Sequence, residues 1–159
     1  MRLEISVILL IIQYAITNNK AKVSFIESLA AEMAEKEITN ISDADRELHR
    51  RDLADKAWQT LSNIFGLDKR KPSKKESETA VLWLSEWNIS REILELAYDE
   101  CVDKKSKFSF PYVAKIVENW HNKGYKKPED INNEKKSPKK EDFASYDIDL
   151  YEKMLNAKD

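Results

Sequence analysis

Glycine and proline are scarce, with 2 and 4 in a chain of 159 residues. All-β folds and phosphate-cradling loops need more glycine than this, so both are excluded, and with the loop goes an ATPase role. The histidines are His49 and His121, and no Cys/His ligand spacing surrounds either, which excludes a structural zinc site on ligand count. Cys101 is the single cysteine, so no internal disulfide can form, in keeping with a reducing, cytoplasmic setting. The apolar run from Leu3 to Ile16, interrupted by Glu4, Ser6 and Gln13, is shorter than the roughly 20 residues a bilayer requires. No small-x-small cleavage site follows it. It reads as a buried helix, and no membrane span is expected.

What remains is 42% hydrophobic and 35% charged, the mix of a soluble helical protein with a modest core. The net charge of -2 hides a pattern. Residues 1–66 carry 8 basic and 10 acidic side chains, and residues 67–102 carry 6 and 8. Residues 103–140 carry 11 and 5, net +6, and residues 141–159 carry 2 and 6, net -4. A basic block of this kind attracts phosphate even in a chain that is acidic on average. The acidic stretch behind it reads either as a disordered solubiliser or as a segment that docks on a partner or competes for the lysines. Tyr146, Ile148, Tyr151 and Met154 would supply an apolar edge in the second case.

No segment alternates at period two, and the expected class is all-α with short connections. A first helix is expected from Leu3 to Asn18, followed by a turn. Ser24 to Glu27 reads as a capping box opening a second helix to Glu35. Ser42 is the expected cap of a long third helix with Ala44, Leu48, Ala54, Trp58, Leu61 and Phe65 at helical spacing, closed by Gly66. Ser73 to Glu76 is another capping box, before Ala80, Trp83, Leu84 and Trp87. Ser90 caps a helix with Ile93, Leu94, Ala97 and Val102 on its apolar side. Pro111 suits the first turn of the next helix, which Gly124 stops. Pro128 starts a last short turn, and residues 132–142 read as a flexible linker.

Two stretches share a layout of helix, polar turn and aromatic-opened helix: residues 15–38 and residues 101–125. Phe25, Leu29 and Met33 match Tyr112, Ile116 and Trp120 at a constant offset of 87, as do Ile38 with Tyr125 and Asp43 with Asp130. One inserted residue brings Ala15 onto Cys101. The first copy has a shorter lead-in, so the chain reads as beginning inside its first unit. The expected organisation is a partial repeat over 1–44, a connecting helix over 45–66, a complete domain over 67–133, and a flexible basic linker with acidic tail over 134–159.

Tyr112, Ile116 and Trp120 form a YxxxIxxxW pattern, one turn apart on one helix face. From spacing alone this is a core stripe. Together with the Asn-Lys-Gly turn behind it, the pattern resembles the signature of DnaD-like domains. Gly66, Arg70, Pro72, Ser73 and Glu76 resemble the opening of that domain. Trp83, Trp87, Ile89-Ser90 and the helix from Glu92 to Val102 resemble its middle, and residues 124–131 its close. Tandem copies occur in phage-associated and Gram-positive relatives. Met33 replaces the Trp in the first copy, which puts any DNA contact by that copy in doubt.

The resemblance implies a non-enzymatic replication-initiation or primosome component. Such a protein binds single- or double-stranded DNA with little sequence preference and helps load the replicative helicase in the cytoplasm, associated with the nucleoid. The residues expected at DNA are Lys104, Lys105, Lys107, Tyr112, Lys115, Ile116, Trp120, Lys123, Tyr125, Lys126 and Lys127, with Lys135, Lys136, Lys139 and Lys140 beyond. Lysine supplies point charge rather than bidentate base reading, in keeping with weak sequence preference. Trp120 is expected mainly to hold its helix, and Tyr125 to be the more accessible ring. No cofactor and no metal are expected. The alternative is a helical adaptor that binds a helicase, a helicase loader or another copy of the chain without touching DNA. A metal-dependent nucleic-acid enzyme is the remote third reading, because no carboxylate pair stands out from the solvated acidic faces.

Overall fold

A computed structural model describes residues 2–136, and the acidic tail, Lys139 and Lys140 lie outside them. The described chain is all-α, with seven α-helices, one π-helical turn and no strand. Chain contacts divide it into two units, one ending at Asn88 and one starting at Ile89. No described helix is long and apolar enough to cross a membrane.

The first unit holds α1 (Ile5–Thr17), α2 (Val23–Glu35), α3 (Ile41–Phe65), α4 (Lys74–Val81) and the π turn Leu82–Glu86. Val7 and Ile11 of α1, Leu29 and Met33 of α2, and Ala44 and Leu48 of α3 make one buried cluster. Further along α3, Ala57, Trp58, Leu61 and Phe65 are buried, and α4 packs on this helix. Gly66 ends α3 in the left-handed region (φ 61°), which glycine adopts at no steric cost. The Ser73 capping box forms as expected. The basic linker ahead of it is clamped by Arg70, whose guanidinium forks onto Glu76 at 2.7 and 2.8 Å and lies 5.2 Å from the Trp58 ring centre. Arg70 therefore holds this joint together.

Three sequence expectations are corrected here. The second helix starts two residues early, at Val23, capped by the Lys22 backbone with no side-chain hydrogen bond, so Ser24 to Glu27 is not a capping box. Asn40, not Ser42, caps α3, accepting from the Asp43 amide at 2.9 Å. The first helix is buried on one side only: Val7, Ile11 and Ala15 are inside, while Ile5, Leu9 and Ile16 face solvent. An apolar helix leaves its own periodicity silent about which face is covered.

The second unit holds α5 (Arg91–Lys105), α6 (Phe110–Asn122) and α7 (Pro128–Lys136). Ser90 caps α5, and Ile93, Leu94, Ala97 and Cys101 are its buried residues; Val102 is half-buried instead. Pro111 sits in the first turn of α6, which buries Val113, Val117 and Trp120. Ile131 anchors α7, which continues to Lys136, so residues 132–136 are helical and not linker. The Glu129 and Asp130 carboxylates favour the N-terminal end of α7 and Lys135 and Lys136 its C-terminal end, as the helix dipole requires.

Several local features of the backbone and its ion pairs recur at the offset of 87. Asn19 and Ser106 (106 − 19 = 87) both take positive φ, 55° and 60°, where a helix turns into its loop. Glu37 and Gly124, at the same offset, take φ 58° and 76°. The amide of Ile38 donates to the Met33 carbonyl at 2.9 Å, and that of Tyr125 to the Trp120 carbonyl at 3.0 Å. Lys36 pairs with Glu47, and Lys123 with Glu134, again 87 apart. Ala44 and Ile131 are the matching buried residues of the third helix. Thus α1, α2 and the start of α3 repeat α5, α6 and α7.

In the first unit the shared pair belongs to a larger network. Glu47, whose side chain is 11% exposed, accepts from Lys36 at 3.2 Å, Arg50 at 2.9 and 3.0 Å, and Arg51 at 3.1 Å. Arg51 and Lys36 both reach Glu32 as well. Hydrogen bonds from Arg50 and then Lys36 outweigh burial and hold the Glu47 carboxyl at about 2, against 4.5 ordinarily. A depressed carboxyl stabilises the fold above its unfolded value and loses that contribution as pH falls through the folded one. Glu47→Gln should therefore lower stability at neutral pH by about 2 kcal/mol. It should also flatten the dependence of Tm on pH between 4.5 and 2, the range over which the Glu47 contribution should be lost as the pH falls. Calorimetry across that range checks both.

Candidate nucleic-acid interface

The candidate residues lie on α5, α6, α7 and their two connections. The α5 C-terminus carries Lys104 and Lys105, where positive charge complements the helix dipole. Ser106 then turns the chain left-handed and puts Lys107 on the loop, in the open. Lys115 stands on the exposed side of α6. Lys126 and Lys127 lead into α7, and their backbone amides donate to the Asp130 carboxylate at 3.1 and 3.2 Å. Those bonds fix the start of α7 and leave both ammonium groups exposed.

The lysines separate into two classes. Lys104 is paired with Glu100 at 2.8 Å, and Lys123 with Glu134. Both ammonium pKa values are raised, chiefly by those hydrogen bonds. Lys105, Lys107, Lys115, Lys126, Lys127, Lys135 and Lys136 have no carboxylate within ion-pairing reach among the described residues. Lys105 instead lies 5.0 Å from the Tyr112 ring centre. Lys123 lies 5.8 Å from that of Tyr125. Seven cations thus keep their charge open to solvent, and two are spent on the framework.

The aromatic pattern is a packing feature. Trp120 is 4% exposed, while Tyr112, Ile116 and Tyr125 are half-buried. Beside Trp120 lies a shallow cleft of about 440 Å³, rimmed by Glu100, Asp103, Lys104, Lys123 and Glu134. With Lys135 the lining holds three carboxylates and three ammonium groups, so its field largely cancels and it is a poor seat for a polyanion. Trp120 cannot stack on a base without leaving the core; Tyr112 and Tyr125 keep an edge in reach.

The first copy shows what the fold needs without the lysines. At the offset of 87, Lys105, Lys115, Lys126, Lys127, Lys135 and Lys136 correspond to Asn18, Ser28, Thr39, Asn40, Leu48 and His49. None of the six is a lysine or an arginine. Lys107 corresponds to Lys20, which is paired with Asp55 at 3.3 Å. Lys123 corresponds to Lys36, which is paired as its counterpart is. The framework is common to both copies, and most of the open positive charge is in the second, with Lys22 open in the first. Among the described residues no group of His, Cys, Asp and Glu is arranged to hold a metal ion.

A family model described as replication initiation and membrane attachment matches residues 2–48 and 63–135. The two matched stretches end at equivalent positions, since 135 − 48 = 87. No curated protein and no solved structure gives a significant match.

Truncating Trp120 and truncating the open lysines should have opposite consequences. Trp120→Ala should destabilise the chain by about 3–5 kcal/mol. Lys105→Ala and Lys107→Ala should each stay within about 0.5 kcal/mol of the wild type. Urea unfolding followed by circular dichroism measures all three.

Proposed function

Starting from the family to which this chain belongs, the DnaD-like replication initiation and membrane attachment family, we propose that its second copy is a DNA-backbone-binding module. The role in replication initiation comes with the family, which is not a known enzyme family. The DNA contact rests on one observation: seven solvent-open lysines sit on a framework whose other copy does without them.

Each ammonium placed against a phosphate releases a condensed counterion, so affinity should fall steeply with salt. Lysine carries a mobile point charge and no planar fork, so the module should discriminate poorly between sequences. Tyr112 and Tyr125, half-buried beside lysines, could add contact to unstacked bases on a single strand. In this reading the module holds DNA while the replicative helicase or its loader is brought to it. A second reading, an adaptor that binds other replication proteins, is favoured by the apolar outward face of α1.

Fluorescence anisotropy with a duplex and a single-stranded oligonucleotide, across a salt series, tests the proposal. The wild-type chain should bind both with little sequence preference. Lys126→Glu with Lys127→Glu should weaken duplex binding and flatten the slope of log K against log salt by about 2. Lys22→Glu, in the first copy, should leave the slope unchanged. An affinity that ignores the double substitution would remove these lysines from the interface.

A further inference from the structure

The connection between α3 and α4 belongs to neither copy, and it holds Lys69, Arg70, Lys71, Lys74 and Lys75 within residues 69–75. Arg70 is committed to the fold. Its guanidinium holds Glu76 and lies over Trp58, and its carbonyl accepts from the Trp58 indole at 3.3 Å. The Ser73–Glu76 capping box fixes the next turn. The four lysines take no part in this clamp. All four are exposed, and none has a carboxylate within ion-pairing reach among the described residues. Two of them also stand where the fold opposes them. Lys74 and Lys75 are the first two residues of α4, at the end where the helix dipole favours carboxylates. Glu76 in the same turn suits the dipole, but Arg70 already neutralises it. By contrast, α5 and α7 begin with Glu92 and with Glu129 and Asp130, and both end in lysines. Lys74 and Lys75 therefore weaken the helix they open. Unpaired charges that work against their own helix, on a backbone clamped in place, are suited to a ligand.

We infer that Lys69, Lys71, Lys74 and Lys75 form a second contact for nucleic-acid backbone, separate from the lysines of the second copy. The inference rests on the reading of this chain as a nucleic-acid binder, and it adds a site in the other unit. The Glu76 amide is taken by the Ser73 hydroxyl at 3.2 Å, so the lysine side chains and not the helix end supply the attraction. Point charges without a planar fork attract phosphate and read no base, so this contact should be as indifferent to sequence as the first. Each phosphate met by a lysine releases a counterion, which makes the contact sensitive to salt. A lipid surface fits less well. Interfacial segments set large apolar side chains beside their lysines, and residues 66–81 hold no exposed large apolar side chain.

The test measures binding and stability together in the full chain, with a short labelled duplex at low salt. Lys74→Glu with Lys75→Glu should weaken duplex binding about tenfold or more and flatten the slope of log K against log salt by about 2. The same variant should raise Tm by about 1–4 °C, because carboxylates suit the start of α4. A lysine that served the fold would lose Tm along with affinity. Lys69→Gln with Lys71→Gln, away from the helix, should weaken binding by about threefold to tenfold and leave Tm unchanged. The two sites can fail separately. Affinity lost in Lys126→Glu with Lys127→Glu but kept in both linker variants would overturn the second contact and leave the first. Affinity lost in the linker variants alone would support this contact and remove the other. Vesicles of phosphatidylserine and phosphatidylcholine supply the remaining arm. Linker variants that lose vesicle binding at unchanged duplex affinity would overturn the inference in favour of a lipid surface.

Discussion

In each three-helix copy a lysine at the end of the middle helix reaches a glutamate in the third: Lys36 to Glu47, and Lys123 to Glu134. Between the partners the chain must turn left-handed, at Glu37 or at Gly124, and return through a backbone bond from Ile38 or Tyr125. The bridge and the turn together fix where the third helix starts. That placement puts Ala44 or Ile131 into the core. Surface ion pairs contribute little by themselves. This one closes a loop whose geometry the turn has already set, and in the first unit Arg50 and Arg51 reinforce it.

Duplication separates what the fold needs from what is added to it. The left-handed turns, the lysine–glutamate bridge and the buried stripe of the first helix recur in both units. The seven open lysines of α5 to α7 stand at positions that are uncharged or paired in the first copy, although Lys22, Lys69, Lys71, Lys74 and Lys75 are exposed in the first unit, and the apolar outward residues lie on α1. Neither addition supports the core: the lysines face water, and Ile5 and Leu9 touch it at positions where α5 manages with an ion pair. At equivalent positions the two copies therefore differ on a common frame, open lysines in the second where the first has none, and apolar Ile5 and Leu9 in the first where the second has an ion pair.

Much of this was legible in the sequence. The helices follow from 3.6-residue periodicity and from caps such as Ser73, Ser90 and Gly66. The offset of 87 was readable because Phe25, Leu29 and Met33 keep the spacing of Tyr112, Ile116 and Trp120. The caps at Ser24 and Ser42 misled, because a serine near a helix start competes with its neighbours, and Asn40 was the better-placed acceptor. The reading of α1 as a buried helix holds for one face only, because a helix with apolar residues all round gives no sign of which side its neighbours cover. For the lysines, composition located the basic block but could not sort it. Lys123 and Lys126 look alike in sequence, and the partner that neutralises Lys123 lies 11 residues away on another helix.

The central claim is that a shared frame carries an interface for nucleic-acid backbone in one copy only. Backbone amide shifts of the labelled chain, followed during titration with a short duplex at low salt, test it most directly. The account predicts that the largest changes fall on residues 104–107, 126–127 and 135–136, while the equivalent residues 17–20, 39–40 and 48–49 stay still. Equal changes in the two copies, or changes confined to the first, would contradict it.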